Sequence, residues 1–151
     1  MSSIQKIAKY LRIISIGLFG VALFLPTYCT NVQCAGFGAG FEALASGWIL
    51  AFFYGGAAFA WFANPIYITT FFVARKEPLV GIGFTAIAIF IAQTFLDGGE
   101  LLLNEAGHTA YITKIEIGYW FWLGSMVVLL FYSIVNLVVK IKTKGAVKQE
   151  L

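Results

Sequence analysis

From Gly47 to Ala74 the chain runs 28 residues without a charge, GWILAFFYGGAAFAWFANPIYITTFFVA, between Glu42 and the pair Arg75-Lys76. As one α-helix this stretch would be ~42 Å long at ~1.5 Å per residue, against a bilayer hydrocarbon core of ~30 Å. It is long enough to cross a membrane with length to spare. About two-thirds of the way along sits Asn64-Pro65, an amide beside a residue with no N–H to give, so a kink is expected there.

The stretch has three companions. Ile13 to Cys34, Pro78 to Leu96 and Ile117 to Val139 are also free of charge, and each holds enough apolar residues for a spanning helix of about 20. With 60% hydrophobic and 11% charged residues and a mean hydropathy of +0.87, the chain is far from the ~25% charge of a soluble domain. The expected fold is an all-α membrane protein of one domain, four transmembrane helices in an antiparallel bundle. Its spans are expected at about 11–27, 47–74 (kinked near 64–65), 79–96 and 118–140. Lys6, Lys9 and Arg12 ahead of an apolar run are also the layout of a signal peptide, but the run ends Leu25-Pro26-Thr27-Tyr28 without a small-x-small site. The first helix is therefore expected to be retained.

Charge sets the orientation. Lys6, Lys9, Arg12, Arg75, Lys76, Lys140, Lys142, Lys144 and Lys148 fall in the first, third and fifth segments outside the spans. Lys114 stands on the other side with Glu42, Asp97, Glu100, Glu105 and Glu116. By the positive-inside rule both termini are expected in the cytoplasm, with the chain in the inner (plasma) membrane of a bacterium. The basic C-terminal segment KIKTKGAVK suits anionic lipid headgroups, at ~1 kcal/mol per residue near the surface, and does not point to nucleic acid.

The loops carry the remaining signals. Cys29 and Cys34, in CTNVQC, are expected to form a structural disulfide or to stay as two thiols, ahead of a redox role. Phe37, Phe41, Leu44 and Trp48 recur at helical spacing, which predicts a short interfacial helix with Glu42 towards water and Trp48 at headgroup depth. In the spans, Gly47, Ala51 and Gly55, and again Gly56, Ala60 and Asn64, form small-xxx-small ridges that let helices approach closely. Gly81, Thr85, Ala88 and Ala92 line one face of the third span, with Gln93 near its outer end. Between them Arg75-Lys76-Glu77-Pro78 is short enough for a helical hairpin. In the second external loop Asp97-Gly98-Gly99 reads as a turn and ELLLNEA as a helical turn stopped by Gly107. YITKIEI reads either as an extended segment or as a helix start. Tyr119 and Trp120, together with Trp122, are expected to form an aromatic belt, while Ser125, Tyr132 and Asn136 share an inward face.

No Asp, Glu, Lys, Arg or His lies centrally in any span, and the single histidine, His108, falls in a loop. That weighs against proton-coupled carriers, haem, metal sites and intramembrane catalysis, so no cofactor is expected. The polar atoms open to a ligand belong to Asn64, Gln93, Ser125, Tyr132, Asn136, Tyr54 and Tyr67. Pro65 also frees the carbonyl of Trp61, for which a plain kink is the favoured role over a ligand cavity.

The outer GFEALASGW, the WFANP break and the GYWFWLGS start resemble small four-span proteins of the bacterial inner membrane, a likeness that implies topology and no particular activity. The expected function is binding of another membrane component. The protein would be an immunity protein against a pore-forming toxin, an accessory subunit of a membrane complex, or a homo-oligomer. Two alternatives stand beside it. The topology and the Cys29/Cys34 pair resemble the disulfide-generating quinone reductases, including the vitamin K epoxide reductase type, which implies redox chemistry. A cavity at Asn64 would instead make the chain a lipid or quinone carrier.

Overall fold

A computed structural model describes residues 3–53, 55–102 and 107–149 of the chain. Tyr54 and the last four residues of the ELLLNEA segment, Glu105 among them, lie outside the described residues, as do the side chains of Lys144 and Lys148 in the C-terminal helix. The protein is mostly helical: α1 (Ser3–Phe24), α2 (Ala39–Phe53), a 3₁₀ helix (Gly56–Phe62), α3 (Ala63–Val73), α4 (Pro78–Gln93) and α5 (Ile117–Gln149). Among the described residues three segments are long and apolar enough to cross a membrane, Ser3–Phe24, Gly56–Val73 and Ile117–Thr143.

The long uncharged stretch does not form one kinked helix. Its first residues belong to α2, the helix expected at the interface, which runs on through Gly47 to Phe53. The chain then reverses at Gly55 and Gly56, whose φ angles of 63° and 56° lie in the left-handed region open chiefly to glycine. Beyond the reversal the 3₁₀ helix lies back against α2. Trp61 Nε1 donates to Leu44 O at 3.1 Å, two positions that one continuous helix would hold ~25 Å apart. A Cβ on Gly47 would sit 2.6 Å from Trp61 Cδ1, so the small residue admits the indole.

The span therefore starts at Gly56. Seven residues of 3₁₀ helix and eleven of α3, at ~2.0 and ~1.5 Å each, come to ~30 Å, the thickness of the hydrocarbon core. Near Asn64 the helix changes type, from 3₁₀ to α. Pro65 stands third in α3, within the first turn where its missing N–H is tolerated. It cannot reach back to Trp61 O, and the preceding turn stays 3₁₀, with the Ala63 N–H on Ala60 O and Trp61 O.

The hairpin of α3 and α4 forms as the short connection requires, and Lys140 of α5 clamps it by donating to Lys76 O (2.9 Å) and pairing with Glu77 (3.1 Å). Arg12 of α1 lies over the Phe71 ring at 4.3 Å, towards the same end of α3. On α4 the buried residues are Pro78, Gly81, Thr85, Ala88 and Ala92, the small-residue face read from the sequence. Helix α4 is short, but i→i+3 bonds from Phe95 N to Ala92 O and from Leu96 N to Gln93 O extend it by a turn.

At the opposite end the connections form a three-stranded antiparallel sheet, ordered β1 (Tyr28–Thr30), β3 (Thr109–Ile115), β2 (Glu100–Leu102). YITKIEI is thus extended up to Ile115, and Glu100–Leu102 pairs with Tyr111, Ala110 and Thr109 as a strand where a helical turn was expected. The pairing decides this: β-branched Ile112, Thr113 and Ile115 make β3 a partner that satisfies the backbone of the short segment. Cys29 and Cys34 are at disulfide distance, with Cα atoms 3.8 Å apart, and staple the turn after β1.

Candidate functional site

A cavity of about 530 Å³ lies between α2, the 3₁₀ helix, the sheet and the adjoining ends of α1, α4 and α5. The inner face of α2 supplies Ala39, Gly40, Ala43 and Gly47 as one wall, with Glu42 and Ser46 beside them; Leu23, Tyr28 and Cys34 come from α1 and the segment that follows it. Phe95 and Leu101 close another side, and Trp61, Asn64, Tyr119 and Trp122 complete the lining. The wall exists because α2 has small residues inward while Phe41, Trp48, Phe52 and Phe53 are exposed on its other side. Positive-φ glycines flank it, Gly38 (84°) before and Gly55 after.

Asn64 is buried and accepts a hydrogen bond on Oδ1 from Trp122 Nε1 at 2.8 Å. The indole can only donate, so the bond fixes the amide's orientation and leaves Nδ2 as its donor end. Below, Ser15 Oγ donates to Ser125 O (2.8 Å) and stands 2.8 Å from Tyr67 OH. A serine has one hydroxyl hydrogen, so Tyr67 is the donor of that second bond. Ser125 Oγ donates to Trp122 O at 2.6 Å, which links this buried chain of hydroxyls to the residue holding Asn64. Phe19 stacks on Tyr67 with centroids 4.9 Å apart.

Of the polar residues singled out by sequence, the fold brings Asn64, Ser125 and Tyr67 into this connected set. It does not bring in the rest of those among the described residues, which leave out Tyr54. Gln93 and Pro65 are exposed, and Asn136 reaches Ala74 O at 3.5 Å at the far end of α3. Tyr132 is buried in the core among Met126 and Leu129.

The expected aromatic belt divides in two. Trp48 and Trp120 are exposed. Tyr119 is 2% exposed and donates to Ala92 O at 3.1 Å, and Trp122 turns to Asn64. The cause is helical phase: positions 119 and 122 share a face that meets α4 and the start of α3, and position 120 is turned away by ~100° from the first and ~160° from the second.

Electrostatics at the cavity are simple. Glu42 is its only charged residue among the described lining residues. The Tyr28 phenol is held above its ordinary pKa of 10.0, first by burial and then by the Glu42 charge. Glu116, paired with Lys114 at 2.7 Å, lies 3.5 Å from Cys29 Sγ just outside the cavity.

Sequence reasoning passed over Glu42, Tyr28 and Trp61 as site residues. The spacing of Gly47 from Trp61 gives no signal until the chain reverses. The chain matches no protein-family model, and no curated protein or solved structure is similar to it.

Proposed function

We propose that the protein is a non-catalytic integral membrane protein that binds another membrane component, an amphiphilic small molecule held in the cavity beside α2. The single observation behind this reading is the cavity itself. It lies within the ~300–1,000 Å³ of ligand sites, and it combines apolar and aromatic walls with a few fixed polar groups. The exposed flank of α2 would serve a protein partner, as in an immunity protein or an accessory subunit, but acyl chains suit it equally, so the cavity decides.

The proposed setting is a four-span antiparallel bundle with both termini cytoplasmic, in the inner membrane of a bacterium. The third span, α4 with its added turn, supports the count at ~30 Å. The basic residues around Arg12, Lys76 and Lys140 support the orientation. In that setting the sheet, the disulfide and the cavity occupy the outer side.

The test is purification in a mild neutral detergent followed by native mass spectrometry and extraction of bound amphiphile. Ala43→Phe, on the exposed α2 and pointing a larger side chain into the cavity, is expected to remove the bound species while leaving the fold intact. An amphiphile retained equally by both proteins would sink the reading.

A second reading rests on Cys34 bordering the same cavity. A quinone bound there would stand next to a disulfide, as a disulfide/quinone redox enzyme requires. Replacing Cys29 and Cys34 with serine separates the two: amphiphile binding survives under the first reading and quinone-dependent thiol oxidation disappears under the second.

A further inference from the structure

The chemistry of the lining goes beyond a generic amphiphile. Glu42 brings a carboxylate to the cavity, and no Lys or Arg accompanies it among the described lining residues. The same cavity is lined by the aromatic residues Tyr28, Trp61, Trp122, Phe95 and Tyr119. An anionic headgroup placed there would meet a like charge near an apolar wall and find no cationic partner. Glu42 is exposed and hydrated, so a neutral headgroup would gain nothing from its charge. A positively charged nitrogen gains from both features at once, since it pairs with a carboxylate and is drawn to the faces of aromatic rings.

We propose that the cavity selects amphiphiles carrying a cationic ammonium headgroup, seated between the Glu42 carboxylate and the rings of Tyr28, Trp61 and Trp122. The alkyl chain runs along the small residues of α2, where Ala39, Gly40, Ala43 and Gly47 leave room. Glu42 borders the cavity and its charge is felt at Tyr28 on the same lining. The inference rests on the cavity being a binding site and adds its ligand class.

The experiment uses the full chain in neutral micelles, with Trp48→Phe and Trp120→Phe. Of the four tryptophans, this leaves Trp61 and Trp122, both in the lining, as the emitters. Three chain-brominated probes with the same alkyl tail are titrated, one bearing a trimethylammonium head, one a sulfate and one a neutral sugar. Bromine quenches an adjacent indole, and Ala43→Phe supplies the non-saturable background. The ammonium probe is expected to saturate at about ten-fold lower concentration than the other two, the scale of one charge-assisted contact. Glu42→Gln is expected to erase that preference while leaving the neutral probe unchanged.

Equal saturable quenching by all three probes would overturn the ammonium selection and leave the binding site standing. A preference for sulfate would overturn it as well. No saturable quenching by any probe, in protein whose circular dichroism and disulfide are intact, would overturn both the selection and the site.

Discussion

Replacing Gly47 with alanine tests the reversal that makes the cavity. The added methyl would sit 2.6 Å from Trp61 Cδ1 and 3.4 Å from Cγ, where the first distance is well inside the ~3.5–4.0 Å at which carbon atoms pack. The indole is not free to swing aside, because its Nε1 donates to Leu44 O at 3.1 Å. Overpacking of this kind costs about 1–3 kcal/mol, and a disturbed hydrogen bond adds ~0.6 kcal/mol in a membrane protein. Alanine recovers ~0.5–1 kcal/mol over glycine in a helix interior. The net expectation is destabilisation of about 1–3 kcal/mol. Gly17→Ala in α1 is the same chemical change with nothing within 4 Å of the new methyl, so it should stabilise by ~0.5–1 kcal/mol. Unfolding in mixed micelles, followed by circular dichroism, measures both. In a Trp61→Leu background the Gly47→Ala penalty should largely vanish, since the obstacle is gone. If Gly47→Ala proves as benign as Gly17→Ala, α2 does not fold back onto Trp61. In a straight helix through Gly47 and Trp61 the two positions lie ~21 Å apart and cannot clash.

Other expectations follow from the same contacts. Asn64→Leu leaves the Trp122 N–H without its acceptor and should cost roughly 0.6–1.7 kcal/mol, read as a lower unfolding midpoint with a shifted tryptophan emission. Reduction of Cys29–Cys34, a closed loop of six residues counted inclusively, should cost roughly 2 kcal/mol by the loop-entropy relation; maleimide mass shifts before and after reductant monitor the state of the pair. The Tyr28 phenol should titrate above 10.0 in the folded protein, followed by ultraviolet difference absorbance. Because the folded value is raised, the associated stability is present at neutral pH and is lost as pH rises through the folded pKa. Glu42→Gln should lower that midpoint only in part, since burial is the larger cause. For topology, an impermeant thiol reagent applied outside intact cells should label Thr113→Cys and spare Thr143→Cys, both in a Cys29→Ser/Cys34→Ser background; the reverse pattern would invert the orientation.

The sequence by itself determined what depends on local composition and spacing. The apolar runs are long enough to cross a membrane whatever the tertiary arrangement, and nine of the ten basic residues fall in alternate segments by their order along the chain. The α4 stripe of Gly81, Thr85, Ala88 and Ala92 was legible because helical period alone puts those positions on one face, and small residues mark the face that packs closely. Helix α2 was visible in the spacing of Phe41, Leu44 and Trp48, though its end was not. Only the tertiary structure decided where that helix stopped. Gly55-Gly56 reads equally well as part of a small-residue ridge or as a reversal. The choice falls to contacts made far along the chain, Trp61 on Gly47 and Gly56 beside Glu100 O. The same holds for Tyr119 and Trp122, which have the composition of an interfacial belt but the helical phase of the core. Asn64 was conspicuous as an intramembrane amide, yet its partner Trp122 lies 58 positions away, and the cavity they share with Glu42 exists only once α2 has turned back. Hydropathy and charge act residue by residue and survive in the linear text. A cavity is a relation among segments, and no single segment carries it.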